Sequence, residues 1–182
     1  MRSHLVFSVH AELDFVEKPL WLDEFRRVFD KPRPYHLTLK TNTYLESDQV
    51  VELASVLERI AREHRPMTVT FDRIEQSKAP RGWCLMIMAV PNPALNELQR
   101  DVSQRCAFGP HTHPVFESFE REFAPRLTIA RHLDDGGLER ARSRLGDGSC
   151  VVRVRAIAST ITARADERLS DASNTTVFTL KN

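Results

Sequence analysis

Tyr35-His36-Leu37-Thr38-Leu39-Lys40-Thr41 and Pro125-Arg126-Leu127-Thr128-Ile129-Ala130-Arg131 are two copies of one pattern. Aligning Thr38 with Thr128 also aligns Leu37 with Leu127 and Leu39 with Ile129. The alternation predicts a strand in each copy, and a strand puts residues i and i+2 on one face. His36 then shares a face with Thr38, and Arg126 shares a face with Thr128. Each strand offers a hydroxyl beside a group that either exchanges a proton or carries a fixed positive charge. Facing each other, two such strands make a two-sided phosphate clamp. The same phase puts Lys40 on the His36 face, as a further cation for phosphate. Arg131 stands at an odd offset from Arg126. It is expected to face away and to serve a structural ion pair.

Working outward, Leu5, Phe7 and Val9 share one face of a first strand, with Ser8 and His10 on the other. Residues 20–29 carry Leu22, Phe25, Val28 and Phe29 at helical spacing. Ser47 is placed to cap a helix running to about His64, with Val50, Leu53, Ala54, Leu57, Ile60 and Ala61 inward and Pro66 as its stop. Residues 67–74 and 83–90 read as strands, the second nearly all apolar and so central. Residues 91–107 read as a helix after a proline start, with Leu95, Leu98 and Val102 inward. The stretch 106–124 reads as irregular. Gly136-Gly137 opens a short helix over 138–145. Residues 150–163 and 175–180 close the chain as strands. The order is roughly βαβαββαβαββ, with no low-complexity linker.

Composition sets broad bounds. A chain of 182 residues suits one domain built of two lobes, here 1–182. Apolar content of 41% and charged content of 28% are those of an ordinary soluble protein, and a net charge of +1 announces no global nucleic-acid field. A local basic cleft is enough for an enzyme of RNA ends. Cys84, Cys106 and Cys150 lack paired or metal-type spacing and read as reduced thiols in a cytoplasmic protein. The apolar run after Met-Arg-Ser-His is too short for a signal or a membrane span. A monomer without membrane contact is expected.

The two copies, their place on apolar strands in the two halves of the chain, and the trailing Thr-Ile-Ala-Arg resemble the two-histidine (2H) phosphoesterases, the 2'-5' RNA ligase-like superfamily. That family carries one His-x-Thr/Ser motif in each half of a pseudo-symmetric fold. The first motif stands here as His36-Leu37-Thr38. The second falls on Arg126-Leu127-Thr128, with arginine where the family has histidine. The resemblance implies an α+β fold, a bilobal pair of antiparallel sheets with outer helices and a central cleft. It implies an RNA end or small nucleotide as ligand, with a 2',3'-cyclic phosphate or a 2'-5' phosphodiester as the bond acted on. It also implies His36 as an acid/base, with Thr38 and Thr128 as phosphate donors.

The chemistry explains why such residues recur. In-line attack at phosphorus needs one group to take a proton and another, across the phosphate, to give one. Imidazoles suit both tasks because they titrate near neutrality. Hydroxyls donate to the non-bridging oxygens, where charge accumulates. No metal or other cofactor is required. Arg126 breaks the symmetry. A guanidinium, with a pKa above about 12, does not exchange protons usefully near neutral pH. It holds phosphate oxygens strongly. The expected protein is therefore a cyclic phosphodiesterase or ligase-like phosphoesterase, weakened or inactive. Its rival is a non-catalytic phosphate-, nucleotide- or RNA-binding module on the same fold. A structural α+β domain with accidental threonine strands is the third reading.

His10 and His4, on the first strand, are candidates to replace the missing second imidazole. His111-x-His113 has metal-ligand spacing but no third ligand nearby. Phe116, Phe119 and Phe123 read as a packed face before a base-stacking platform. Trp83 reads as an aromatic at a strand start, and Asp134-Asp135 as a turn before a helix.

Overall fold

The computed structural model describes residues 5–30, 34–163 and 174–181. Among these residues there are seven strands and five helices. They are β1 (Leu5–Glu17), α1 (Leu22–Phe29), β2 (His36–Leu45), α2 (Val50–Glu63), β3 (Met67–Ala79), β4 (Gly82–Ala89), α3 (Pro93–Arg105), α4 (Val115–Arg121), β5 (Arg126–Leu133), α5 (Asp135–Arg142), β6 (Cys150–Thr162) and β7 (Thr175–Thr179). All strand pairs are antiparallel. The class is α+β, as the order of elements and the resemblance imply.

The strand order is β2-β1-β6-β3-β4-β5, with β7 added on β6. The two expected sheets are thus halves of one sheet. They join because β6 is long enough to serve two neighbours on one edge. Its residues 150–154 pair with 67–71 of β3, and its residues 156–160 pair with β7. Although β2 and β5 end the strand path, they contact each other. The sheet must curl to allow this, and the two motif strands meet where it closes.

One apolar cluster runs through both halves. Phe7, Val9, Leu37 and Leu39 belong to it with Phe71, Ile87, Leu127 and Ile129, all fully or almost fully buried. Helix α2 adds Leu53, Leu57, Ile60 and Ala61 at helical spacing. Helix α3 adds Leu95, Leu98 and Val102. It starts where expected, because Pro93 fits the first turn and the Asn92 side chain accepts from Leu95 N at 3.0 Å.

Three local expectations are corrected. Before α2, residues Ser47–Gln49 form a 3-10 turn closed by a capping box between Glu46 and Gln49 rather than by Ser47. Helix α5 begins before Gly136-Gly137, since Asp134 accepts from Gly137 N and supplies the cap. The stretch 106–124 contains α4, which packs on β2. Among the described residues no helix is long and apolar enough to cross a membrane, and Cys84, Cys106 and Cys150 are free thiols.

Candidate active site

The face of each motif strand follows from its register. Residues directly opposite in an antiparallel pair point to one side of the sheet. Leu37 and Leu127 lie in the core cluster, so their neighbours along each strand point away from it. Thr38 stands opposite His10 of β1, and His36 opposite Glu12. Arg126 stands opposite Met88 of β4, and Thr128 opposite Met86. All four motif side chains are half-buried. The predicted pairing of His36 with Thr38, and of Arg126 with Thr128, is the one the strands adopt.

Irregularities in register decide what happens next along each strand. In β2, Lys40 is opposite Val9 while Thr38 is opposite His10, so Leu39 is an extra residue. Such a bulge reverses the side-chain phase beyond it. Lys40, expected beside the phosphate, is instead opposite a core residue. Its Nζ lies 3.1 Å from Glu120 Oε2, and both side chains are almost fully buried, at 3% and 7% exposure. It lines a polar cavity of about 580 Å³ with Gln99, Ser103 and His111, which none of the four motif residues lines.

In β5, Ala130 is opposite Leu85 while Thr128 is opposite Met86, and Ala130 joins the core cluster. The phase reverses there too. Alternation from Ala130 would carry Arg131 to the face of Arg126 and Thr128, but a second irregularity follows before Leu133. The distortion continues at His132, whose φ of 57° lies in the left-handed region. Gly82, with φ 120°, lets the β3–β4 turn approach this point. A Cβ there would come within 2.6 Å of the Leu133 carbonyl oxygen.

One nitrogen of the His36 ring is engaged by the backbone. Its Nδ1 lies 2.9 Å from the Pro34 carbonyl oxygen, which only accepts. Nδ1 therefore carries a hydrogen, and in the neutral ring Nε2 carries the lone pair. The preceding Tyr35 anchors this segment to α1. Its hydroxyl donates to Asp23 Oδ1 at 2.5 Å, the Arg26 guanidinium lies 4.1 Å from its ring centroid, and Phe15 meets it edge-on at 4.9 Å. Burial and the Asp23 carboxylate push the Tyr35 hydroxyl up to about 12, so it stays a donor.

Arg126 stacks on Phe119 of α4, 4.7 Å from the guanidinium carbon to the ring centroid. Burial lowers its pKa, and the nearby Cys84 and Glu75 oppose that shift. Glu75 itself bonds Arg73 at 2.8 Å. Among the described residues no carboxylate forms an ion pair with Arg126. Phe119, read from sequence as a packed face, thus packs on a cation.

The remaining candidates separate. His10 reaches the site, with its ring centroid 5.3 Å from that of His36. Burial and the His36 charge lower its pKa to about 4, so near neutrality it has no proton to give. His4 lies outside the described residues. His111 Nδ1 lies 3.4 and 3.2 Å from the Thr41 and Thr43 hydroxyls. No group of His, Cys, Asp and Glu able to hold a metal occurs among the described residues. Trp83 donates to Asp135 at 2.8 Å and lies under Lys78.

A family model described as 2'-5' RNA ligase superfamily matches residues 16–166. The chain belongs to this superfamily, the 2H phosphoesterases. Among solved structures it is similar to E. coli LigT complexed with 3'-AMP, at 20% identity and TM-score 0.55, covering 100% of this chain and 97% of that one. It is also similar to Kluyveromyces marxianus Usb1 with uridine monophosphate, at 10% identity and TM-score 0.54, covering 97% and 98%. At these identities the likeness is one of fold. No curated protein sequence matches the chain.

Proposed function

We propose that this chain binds phosphorylated RNA ends or small nucleotides between β2 and β5, and that it is a phosphoesterase with one half of its acid–base machinery. His36 Nε2 is the proton-exchanging atom. Thr38 and Thr128 donate to non-bridging oxygens, and Arg126 supplies a fixed positive charge. Lys40 has no part in this reading, because Glu120 already neutralises it in the interior.

The observation that carries the proposal is Arg126 itself. It is a half-buried cation, braced on an aromatic ring and without an ion-paired acid among the described residues. Burying a charge is costly unless a partner offsets it. A ligand phosphate is the partner whose geometry a guanidinium fits best. The 3'-AMP bound to LigT and the uridine monophosphate bound to Usb1 support this choice of ligand.

Calorimetric titration with a nucleotide 3'-monophosphate tests the reading. Arg126→Ala should weaken binding by about 1.5–3 kcal/mol, the range for hydrogen bonds to charged groups. Affinity should also fall as salt rises, because part of the attraction is screened. Equal affinity of parent and variant across salt concentrations would remove Arg126 from the site. The non-catalytic reading is favoured if binding is retained while His36→Ala leaves the same residual turnover as the parent.

A further inference from the structure

His10 is the polar residue of this site that the repeated motif does not explain. It sits on β1 between Thr38 of β2 and Ala158 of β6, in register with both. From β2 it faces His36 and Thr38. Ala158 and Thr160 are its neighbours on β6, and exposed Glu12 follows it on the same face of β1. Its Nδ1 is buried and meets no hydrogen-bonding partner among the described residues. Such orphaned polar atoms are uncommon in folded proteins and call for a reason. An apolar side chain would fill this strand position at less cost. The contact that His10 does make is with His36, ring to ring, at 5.3 Å between centroids and 64° between planes.

We infer that His10 is a positioning residue for His36; the inference rests on the reading of His36 as the proton-exchanging group. The Pro34 carbonyl selects Nδ1 as the hydrogen-bearing nitrogen of His36 only while the ring keeps its angle to that oxygen, and rotation of the ring is the freedom that would break the selection. The edge of His10 removes that freedom, so Nε2 is presented to the phosphate without a search. A neutral ring suits this role. Being uncharged near pH 7, His10 does not oppose the protonation of His36 when a phosphate dianion binds. A lysine or arginine at position 10 would oppose it.

The test uses three variants. In the ligand-free protein, imidazole nitrogen NMR of His36 should show one tautomer, protonated at Nδ1. His10→Ala should give a mixture of tautomers, and His10→Phe, which keeps an aromatic edge, should restore the single form. On an Arg126→His background, His10→Ala should lower kcat on cyclic nucleotides by roughly tenfold or more, since small misplacements of a reacting group are costly. The affinity for 3'-monophosphate should hold within about twofold, because His10 touches the ring of His36 and leaves the phosphate contacts of Thr38 and Thr128 in place. His10→Phe should recover most of kcat. An unchanged His36 tautomer in His10→Ala, or no rescue by phenylalanine, overturns the inference. Loss of the role of His36 itself would show separately, as activity that survives His36→Ala, while the NMR result would stand.

Discussion

Arg126→His raises the rate of 2',3'-cyclic nucleotide hydrolysis, on the order of 10²-fold over the parent chain. The size follows from what one positioned acid or base contributes to proton transfer. On the proposed reading the parent has one proton-exchanging group, His36. The opposite wall has a guanidinium, which stabilises charge but does not exchange protons near neutrality. Thr128 stays in place in the variant, held opposite Met86. Phe119, which now lies under the guanidinium, offers the same surface to the shorter imidazole. The pH dependence should change form as well. With one essential titrating group, kcat/KM in the parent follows a single sigmoid. With two, it becomes a bell. Steady-state rates across pH, for parent, Arg126→His and Arg126→His/His36→Ala, check all of this. A variant that gains nothing and keeps a single sigmoid would mean that position 126 lies away from the reacting atoms.

The repeated motif carried its own face assignment, because strict alternation from Leu37 and Leu127 sends His36, Thr38, Arg126 and Thr128 away from the core. That logic fails beyond a bulge. An extra residue leaves no mark in the sequence, yet it reverses the side chains beyond it until a second irregularity restores the phase, as happens before Thr43 in β2. Leu39 does this in β2 and removes Lys40 from the site. A like irregularity falls at 129–130 in β5, just before Arg131. Helix α4 was hidden because it has only seven residues, follows Pro114, and buries no side chain fully. The approach of His10 to His36 is invisible to any reading of one strand at a time. It depends on the register between β1 and β2, which long-range packing sets. The joining of the two half-sheets was hidden for a similar reason. Nothing in the pattern of β6 says that its one edge pairs first with β3 and then with β7.

Glu120→Ala destabilises the fold by about 3–5 kcal/mol, the cost of breaking a buried ion pair by removing one partner. The loss is large because Glu120 satisfies several groups together. It holds Lys40 Nζ at 3.1 Å, Thr41 N at 2.9 Å, the Thr41 hydroxyl at 3.0 Å and the Ser103 hydroxyl at 2.6 Å. Alanine would leave an ammonium in the interior and strand several buried donors. These contacts tie β2 to α3 and α4, so the first motif strand should loosen with them. Lys40→Met should cost less, since the carboxylate keeps its other donors. Lys40→Met/Glu120→Leu should recover part of the loss, because the unpaired charge is gone.

Acidity should act through the same group. Burial raises the Glu120 pKa, but Ser103, Lys40 and the Thr41 amide outweigh it, and the net shift is downward. A carboxylate with a depressed folded pKa contributes stability that is present above its unfolded value. That stability is lost as pH falls through the folded value. The advantage of the parent over Glu120→Gln should therefore be full at neutral pH and shrink below the ordinary glutamate range. Urea unfolding of the variants at neutral and acid pH measures both effects. A Glu120→Ala protein as stable as the parent, or a parent advantage over Glu120→Gln that does not change with pH, would show that the Lys40–Glu120 pair contributes no net stability to this edge of the sheet.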